Sequence, residues 1–406
     1  MKNLLLILAI ICALFGVVTL DLESVKWGSF SIVLYCLPLL SLLSKNKSIR
    51  VYACWGGVFL ILQTLLSLVF YQRYHHLTPS MKYQLDVQGN GLPGIQGIQN
   101  ISTDKLGFRA TKEIDYTHKS KTLRIFALGA STTEQIYIDD RKTWTDLLQT
   151  RLENMTGNPA EVINTGVSGL RMVHVLDNFK KILKLHPDVA IFLMGINDWN
   201  KDIINHYDPS VEKLNRFYGF FHLEYYDMTE LYLRNSLLGI AAQAFIPRPK
   251  LPEAPNFRVE KGDYFTKQSN SLSRTDVRTY QASDLIAEYR TYLEKAVKLC
   301  KSHHVRCIFM NQPNAYKPGV DEKTRKNFWM TPPNESYTLD LESLIQIAAL
   351  YNSRLKDFAQ ANGQEFCDLD IQIPPSEENF YDEVHFNEKG SELVARAAAN
   401  CLNAKH

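Results

Sequence analysis

The sequence predicts an α/β fold in which a parallel five-stranded sheet is covered by helices on both faces. Five short apolar runs alternate with longer segments of helical periodicity, and they occupy residues 122–129, 161–166, 188–195, 305–313 and 365–370. This alternation is typical of parallel sheets, whose strands are buried on both faces and therefore apolar throughout. The chain has 406 residues, 45% hydrophobic and 22% charged, which suits a globular fold with a large core.

Each predicted strand has a recognisable boundary. The first, TLRIFALG, ends in a glycine, and Pro187 separates the third, DVAIFLMG, from the helical segment before it. EVINTG, VRCIFMNQP and EFCDLD are the second, fourth and fifth strands along the chain. The segments with helical periodicity are 141–155, 170–186, 283–303, 341–363 and 387–403. Each predicted strand is therefore separated from the next by at least one helical segment, as a parallel sheet requires.

Three long apolar runs precede this region and predict an N-terminal membrane anchor over residues 1–74. They are Leu4–Leu20, Ser29–Ser44 and Val51–Tyr71, and a membrane-spanning helix needs roughly 17 to 25 such residues. The second run is short and contains Pro38. A cleaved signal peptide is the alternative for the first run, although no small-residue cleavage site follows it. We expect three transmembrane helices.

The charges between these runs predict their orientation. The link at 45–50 contains Lys45, Lys47 and Arg50 and no acidic residue, whereas the link at 21–28 is slightly acidic. Positively charged loops stay on the cytoplasmic side. The N-terminus is therefore expected inside, and everything from residue 75 onward is expected to be extracytoplasmic, which means periplasmic in a bacterium.

The remaining chain divides into an arm and a large domain. Residues 75–120 are polar and contain GNGLPGIQG at 89–97, which indicates a linker and entry arm. Residues 121–406 form the predicted α/β domain, with insertions at about 203–282 and 316–336. Connections of this length need a role. They form either a packed structural subdomain or a lid that shapes an acyl or saccharide pocket or rests on the membrane, and the sequence leaves these alternatives open.

Composition and cysteine spacing exclude several kinds of partner. Lys and Arg number 45 and Asp and Glu 43, for a net charge of +2, so no nucleic-acid partner is predicted. No cysteine pair has metal-ligand spacing, and no G-x-G-x-x-G follows a strand, so neither a metal nor another cofactor is predicted. Cys307 and Cys367 lie in apolar strand-like runs and are expected to be buried free thiols, with a Cys300–Cys307 disulfide as the alternative.

Candidate site residues follow three predicted strands, where parallel sheets bind ligands. Ser131 comes after the first strand in LGASTTEQ, Gly169 after the second in NTGVSG, and Asn197 after the third in GINDW. Asp382 and His385 lie three residues apart in NFYDEVHFNEKG, after the fifth strand. Each motif alone is also compatible with helix capping, turn chemistry or a solvated surface pair.

In this order the four motifs resemble those of the SGNH hydrolases, the GDSL-like esterases, over roughly residues 120–402. The resemblance implies a flavodoxin-like, three-layer fold. It also implies that Ser131 is a nucleophile, His385 its general base and Asp382 the residue that orients the imidazole. The oxyanion donors would be the Ser131 and Gly169 backbone N–H groups and the Asn197 side chain. Ala130 replaces the aspartate that this family often has before its serine.

These expectations combine into one predicted function. The chain is expected to be a membrane-anchored, extracytoplasmic serine esterase or O-acyltransferase. The acyl group, acetyl by analogy with the family, would belong to an envelope glycan or lipid, and a membrane partner in acyl transfer is compatible with the anchor. The alternative is a catalytically silent scaffold of the same fold that binds a glycan or a membrane partner.

Overall fold

The fold is described from a computed structural model of the chain. It describes residues 46–48, 50–51, 54–55, 57–58, 82–117, 122–208, 257–259, 275–328, 332 and 335–403. The chain divides into two units, Met1–Arg73 with Glu212–Pro252, and Tyr74–Val211 with Glu253–His406. The described part contains no helix with the length and apolar character needed to cross a membrane. The first two predicted membrane spans, and most of the third, lie outside the described residues.

All but a short helical stretch near residue 50 of the described structure belongs to the second unit. Its strands are β1 (Lys82–Leu92), β2 (Ile95–Ser102), β3 (Leu123–Gly129), β4 (Ala160–Asn164), β5 (Val189–Leu193), β6 (Phe257–Val259), β7 (Asp276–Arg278), β8 (Arg306–Met310), β9 (Tyr337–Leu339) and β10 (Glu365–Cys367). Its helices are α1 (Ser131–Glu134), α2 (Trp144–Thr156), α3 (Met172–Ile182), α4 (Ile196–Tyr207), α5 (Ala287–His303), α6 (Glu322–Arg325), α7 (Leu341–Ala361) and α8 (Glu388–Asn403).

The five predicted core strands form one parallel sheet, as expected. Its spatial order is β4-β3-β5-β8-β10, with every neighbouring pair parallel. Counted along the chain this is the order 2-1-3-4-5 of flavodoxin-like folds. The direction of winding reverses between β3 and β5, so a crevice opens at the carboxyl ends of these two strands.

Alternate side chains of the strands lie in two separate apolar layers, one on each face of the sheet. In β3, Phe126 and Leu128 belong to the layer that also contains α3, α5 and α7, whereas Ile125 and Ala127 belong to the layer that contains α2 and α8. This is the period of two that a strand imposes on its side chains. Both faces of the sheet are therefore buried, and the three-layer architecture expected from the alternation is confirmed.

The segment predicted to be a linker contains a β-hairpin. Strands β1 and β2 pair antiparallel through a two-residue turn, Pro93 and Gly94, in which Gly94 has a φ of +74°. A Cβ on Gly94 would lie 2.4 Å from the side-chain nitrogen of Asn387, so this turn packs directly against the loop before α8. The glycine-rich composition suggested a linker, but alternate residues of β1 such as Leu85 and Val87 are buried, as in a strand with one buried face.

Other elements lie at the predicted insertions. Helix α4 begins at the GIND motif, where turn chemistry alone does not predict a helix, and extends into the first residues of the first insertion. Strand β7, inside the first insertion, pairs parallel with β9, immediately after the second. Most residues of the first insertion lie outside the described ranges, and the domain boundaries stay predictions.

Four of the cysteines form disulfides, so the prediction of buried free thiols at Cys307 and Cys367 is wrong. Cys300 pairs with Cys307 at a Cα–Cα distance of 6.1 Å, and Cys367 pairs with Cys401 at 5.9 Å. The first pair forms because α5 ends with a left-handed residue at His304, which turns the chain back into β8. The second joins the edge strand β10 to α8, a contact that sequence spacing does not reveal.

Candidate active site

The predicted site residues converge at the carboxyl edge of the sheet. Ser131 is the first residue of α1, directly after β3, and Asn197 lies in the first turn of α4, directly after β5. Asp382 and His385 lie in the loop between β10 and α8, which is closed by a bridge between Phe380 and Phe386. The reversal point of the sheet therefore lies between the serine and the asparagine, where this fold class binds its ligands.

Three of these side chains form a continuous chain of hydrogen bonds. The Ser131 Oγ lies 2.7 Å from His385 Nε2, and His385 Nδ1 lies 2.6 Å from Asp382 Oδ2. The order of contacts fits a neutral imidazole that is protonated at Nδ1 and accepts the serine proton at Nε2. This is the geometry in which a histidine can activate a serine hydroxyl.

Asp382 is held as a buried carboxylate. Burial by itself raises the pKa of Asp382, but the electrostatic interaction with His385, its hydrogen bond and two backbone N–H groups together lower it below its ordinary value. Those two N–H groups, of Val384 and His385, donate to Oδ1 at 2.9 and 2.7 Å. One carboxylate oxygen is therefore fixed by the loop backbone and the other faces the imidazole.

The imidazole is also positioned by aromatic contacts. The Tyr381 ring stacks on His385 with 5.3 Å between centroids and 4° between planes, and Tyr137 meets Tyr381 edge-on at 6.1 Å. Tyr381 in turn packs against the apolar side chains of the N-terminal hairpin. The hairpin thus supports the face of the imidazole through one intervening ring.

The turn that carries Ser131 depends on close backbone approach. A Cβ on Gly129 would lie 2.1 Å from the Thr133 hydroxyl, and a Cβ on Gly166 would lie 2.2 Å from the backbone nitrogen of Glu134. Neither position has room for a side chain. The turn of α1 and the loop after β4 are therefore in direct contact.

Arg109, from the segment between the hairpin and β3, holds the end of this turn. Its guanidinium donates to the carbonyls of Glu134, Gln135 and Ile138 and forms an ion pair with Asp140, at 2.8 Å between Nε and Oδ1. The Arg109 side chain is 2% exposed and the Asp140 side chain 6%. A buried guanidinium with this many acceptors fixes the chain immediately after the nucleophile. Sequence reasoning missed it, because an arginine upstream of the first motif carries no local signal.

The segments that contain the three predicted oxyanion donors are linked to one another. Gly169 has a φ of +80° and lies in an exposed turn after β4. The Asn197 side-chain nitrogen donates to the Leu170 carbonyl at 2.9 Å, which leaves its second N–H available. Ser131 has its own N–H at the start of α1, where backbone donors lack intrahelical partners. The three donor segments therefore lie at one edge of the sheet, and their role as oxyanion donors stays a prediction.

Asp198, next to the predicted donor, has a structural partner. It is fully buried and accepts the Met172 N–H at the start of α3, with both oxygens at 3.2 Å. Burial raises the pKa of Asp198 to about 7, against the opposing effects of that hydrogen bond and of Arg171. No group of three or more His, Cys, Asp or Glu side chains in the described ranges is arranged to hold a metal ion.

Comparison with known proteins agrees with the sequence motifs. The model of the GDSL-like lipase/acylhydrolase family matches residues 127–393, which is more than half of the chain. Among curated proteins there is no significant match.

Solved structures similar to this chain include three esterases or lipolytic proteins. An acetylxylan esterase from Geobacillus stearothermophilus, solved as a catalytic mutant, is 13% identical with a TM-score of 0.39, and the match covers 71% of this chain and 98% of that one. The psychrotrophic esterase EstA from Pseudoalteromonas sp. is 12% identical, with a TM-score of 0.37 and coverage of 69% and 96%. A G-D-S-L family lipolytic protein from Veillonella parvula DSM 2008 is 13% identical, with a TM-score of 0.37 and coverage of 70% and 99%.

The family match spans most of the sheet and its helices and includes both Ser131 and the Asp382–His385 loop. The chain therefore belongs to the GDSL-like lipase/acylhydrolase family and is a serine ester hydrolase of the SGNH type.

Proposed function

We propose that this protein is a membrane-anchored, extracytoplasmic esterase or O-acyltransferase whose nucleophile is Ser131. Its substrate is an O-acyl ester, in the simplest case an acetyl ester, on an envelope glycan or lipid. The observation that carries the proposal is the chain of contacts from Ser131 through His385 to Asp382, at 2.7 and 2.6 Å. A free serine hydroxyl is a weak nucleophile at neutral pH, and this arrangement supplies the base that it needs.

In the first half-reaction the Ser131 Oγ attacks the acyl carbonyl carbon. As that bond forms, the serine proton moves to Nε2 of His385, and Asp382 stabilises the resulting imidazolium. The tetrahedral intermediate then expels the alcohol of the substrate, which takes the proton from Nε2. The products of this half are an acyl ester on Ser131 and a free hydroxyl on the glycan or lipid.

In the second half-reaction another hydroxyl attacks the acyl-enzyme. His385 accepts the proton of the incoming water or alcohol and returns it to the Ser131 oxygen when the intermediate collapses. Water gives a free acid and therefore hydrolysis, whereas a sugar hydroxyl gives a new ester and therefore transfer.

Both tetrahedral intermediates carry a negative oxygen that needs hydrogen-bond donors. In this proposal the donors are the N–H groups of Ser131 and Gly169 and the second side-chain N–H of Asn197. Donors held in place before the reaction stabilise charge that develops only in the transition state, and each is worth on the order of 3 to 4 kcal/mol of the barrier.

Two features support the extracytoplasmic location, the charges beside the apolar runs and the disulfides. The charges beside the apolar runs favour an outside location for residues 75 onward. Disulfides form and persist in oxidising compartments, and the Cys300–Cys307 and Cys367–Cys401 pairs support the same side of the membrane.

The proposal is tested with the purified full-length chain. Wild type should react covalently with a fluorophosphonate probe and should cleave 4-nitrophenyl acetate and acetylated oligosaccharides, and Ser131→Ala should do neither. Ser302→Ala, which alters an exposed serine at the end of α5, is the matched control and should behave as wild type. Adding an unacetylated acceptor sugar separates transfer from hydrolysis.

Two results would contradict the proposal. Labelling of Ser131→Ala at the wild-type rate would remove Ser131 from the chemistry. A folded wild-type chain with neither labelling nor turnover would favour the silent scaffold that binds a glycan or membrane partner.

A further inference from the structure

The side chain of Glu134 links the nucleophile turn to the turn that contains Gly169. Glu134 is the last residue of α1, three residues after Ser131, and it is 4% exposed. Its Oε2 accepts the backbone N–H of Ser168 at 2.6 Å and the Ser168 hydroxyl at 2.5 Å. Two donors from a single residue thus converge on one oxygen of a buried carboxylic group.

The turn that receives this contact has few other restraints. Ser168 and Gly169 are both exposed, and a Cβ on Gly169 would meet nothing within 4 Å, so side-chain packing does not hold this peptide. Its position depends on the residues on either side. Leu170 is held through its carbonyl by the Asn197 side chain, and Ser168 is held by Glu134.

The Gly169 N–H, one of the three donors, therefore lies between two anchored residues. Burial of the acceptor keeps competing water away from this hydrogen bond. An oxyanion donor is useful only if it is fixed before the charge develops. Because Glu134 belongs to the same short helix as Ser131, it fixes this donor relative to the nucleophile itself.

We propose that Glu134 is a positioning residue that sets the Gly169 N–H as an oxyanion donor by anchoring Ser168. This inference rests on the proposed function, since it assigns Glu134 a role in the same reaction. Glu134 does not touch the substrate in this proposal. Its effect should therefore fall on the transition state and not on substrate binding.

The test compares kcat per titrated active site with KM. Glu134→Ala removes the acceptor and should lower kcat roughly tenfold to a hundredfold, with KM within twofold of wild type, since the donor is misplaced and not deleted. Glu134→Gln keeps an amide oxygen in place of Oε2, so its kcat should recover most of the activity that Glu134→Ala loses. A residue that only stabilised the fold would lower the melting temperature without this separation of kcat from KM.

Glu161→Ala is the matched control for loss of a carboxylate in the same sheet. Glu161 forms an ion pair with Arg124, at 2.7 Å, near the amino ends of β3 and β4 and hence far from the site. Its replacement should lower stability and leave kcat per titrated site unchanged.

Several outcomes would overturn the inference. One is a folded Glu134→Ala enzyme whose kcat per site is within twofold of wild type, and another is a Glu134→Gln enzyme as impaired as the alanine variant. If Glu134→Ala does not fold, Ser168→Ala, at an exposed position, takes its place. It should lower kcat severalfold, Ser168→Thr should not, and a wild-type kcat in Ser168→Ala would refute the role.

Labelling and turnover of the wild-type chain distinguish failure of this inference from failure of the proposed function. A wild type that neither labels with fluorophosphonate nor turns over overturns both. An active wild type whose Glu134 and Ser168 variants are equally active overturns the positioning role alone.

Discussion

Replacing Asn197 with alanine should damage catalysis much more than it damages the fold. The change deletes two N–H donors. One donates to the Leu170 carbonyl at 2.9 Å, and the other is the proposed oxyanion donor. Asn197→Asp should be at least as harmful, because a carboxylate would repel the developing oxyanion.

The two losses can be estimated separately. Loss of one oxyanion donor costs roughly 3 to 4 kcal/mol in the barrier, which is about a hundredfold to a thousandfold in kcat. Loss of the hydrogen bond to Leu170 costs on the order of 1 kcal/mol of unfolding free energy, because Asn197 is only half-buried and water can replace the amide. For a domain of this size that is a fall of a few degrees in Tm.

The assay is kcat per site titrated with a fluorophosphonate, measured beside KM and Tm. Asn205→Ala, on the last turns of the same helix α4, is the matched control and should keep the wild-type kcat. A lowered Tm with an unchanged kcat per site would make Asn197 a structural residue and remove it from the proposed mechanism.

Three other predictions follow from the fold and the sequence. The pKa of Asp198 is raised to about 7, so the folded state binds this proton more tightly than the unfolded chain, and the stability that the proton contributes is lost as pH rises from about 4 to 7. Asp198→Asn should therefore become more stable relative to wild type over that range, by at most about 4 kcal/mol of unfolding free energy. A difference in denaturant unfolding that does not change with pH would contradict this. Replacing Cys367 and Cys401 by serine opens a disulfide that spans 34 residues and should cost up to roughly 4 kcal/mol of unfolding free energy, and an unchanged denaturation midpoint would argue that the bond does not form. Alkaline phosphatase fused after the C-terminus should be active, and an active cytoplasmic reporter there would reverse the proposed topology.

The sequence predicted the sheet well because its strands are buried on both faces. β5 is buried at every position, which gives a continuous apolar run. Helix α4 was not predicted, because its buried face is partly polar. Its buried side includes Asp198 and Asp202, whose carboxylates accept from the Met172 backbone and from two tyrosine hydroxyls, so the apolar periodicity of a helix is broken.

The motifs of the candidate site could be recognised in the sequence, but the residues that hold those motifs in place could not. Ser131, His385 and Asp382 lie at strand ends or in one loop, where residue type and order carry the signal. Arg109 and Glu134 act through contacts with distant backbone, and neither contact leaves a pattern in the local sequence. Of the two disulfides, Cys300–Cys307 was predicted only as the alternative, and Cys367–Cys401 was missed because that pairing depends on how α8 packs on the sheet.

The contacts of the Arg109 guanidinium bear on where the catalytic domain begins. The family match starts at residue 127, and a truncated enzyme designed from it would omit this side chain together with the hairpin under Tyr381. Three backbone carbonyls after the nucleophile would lose their buried donor, and each unsatisfied carbonyl costs on the order of 1 to 3 kcal/mol. The segment that precedes β3 is thus part of the catalytic domain, and a truncated enzyme has to include it to keep the turn of the serine intact.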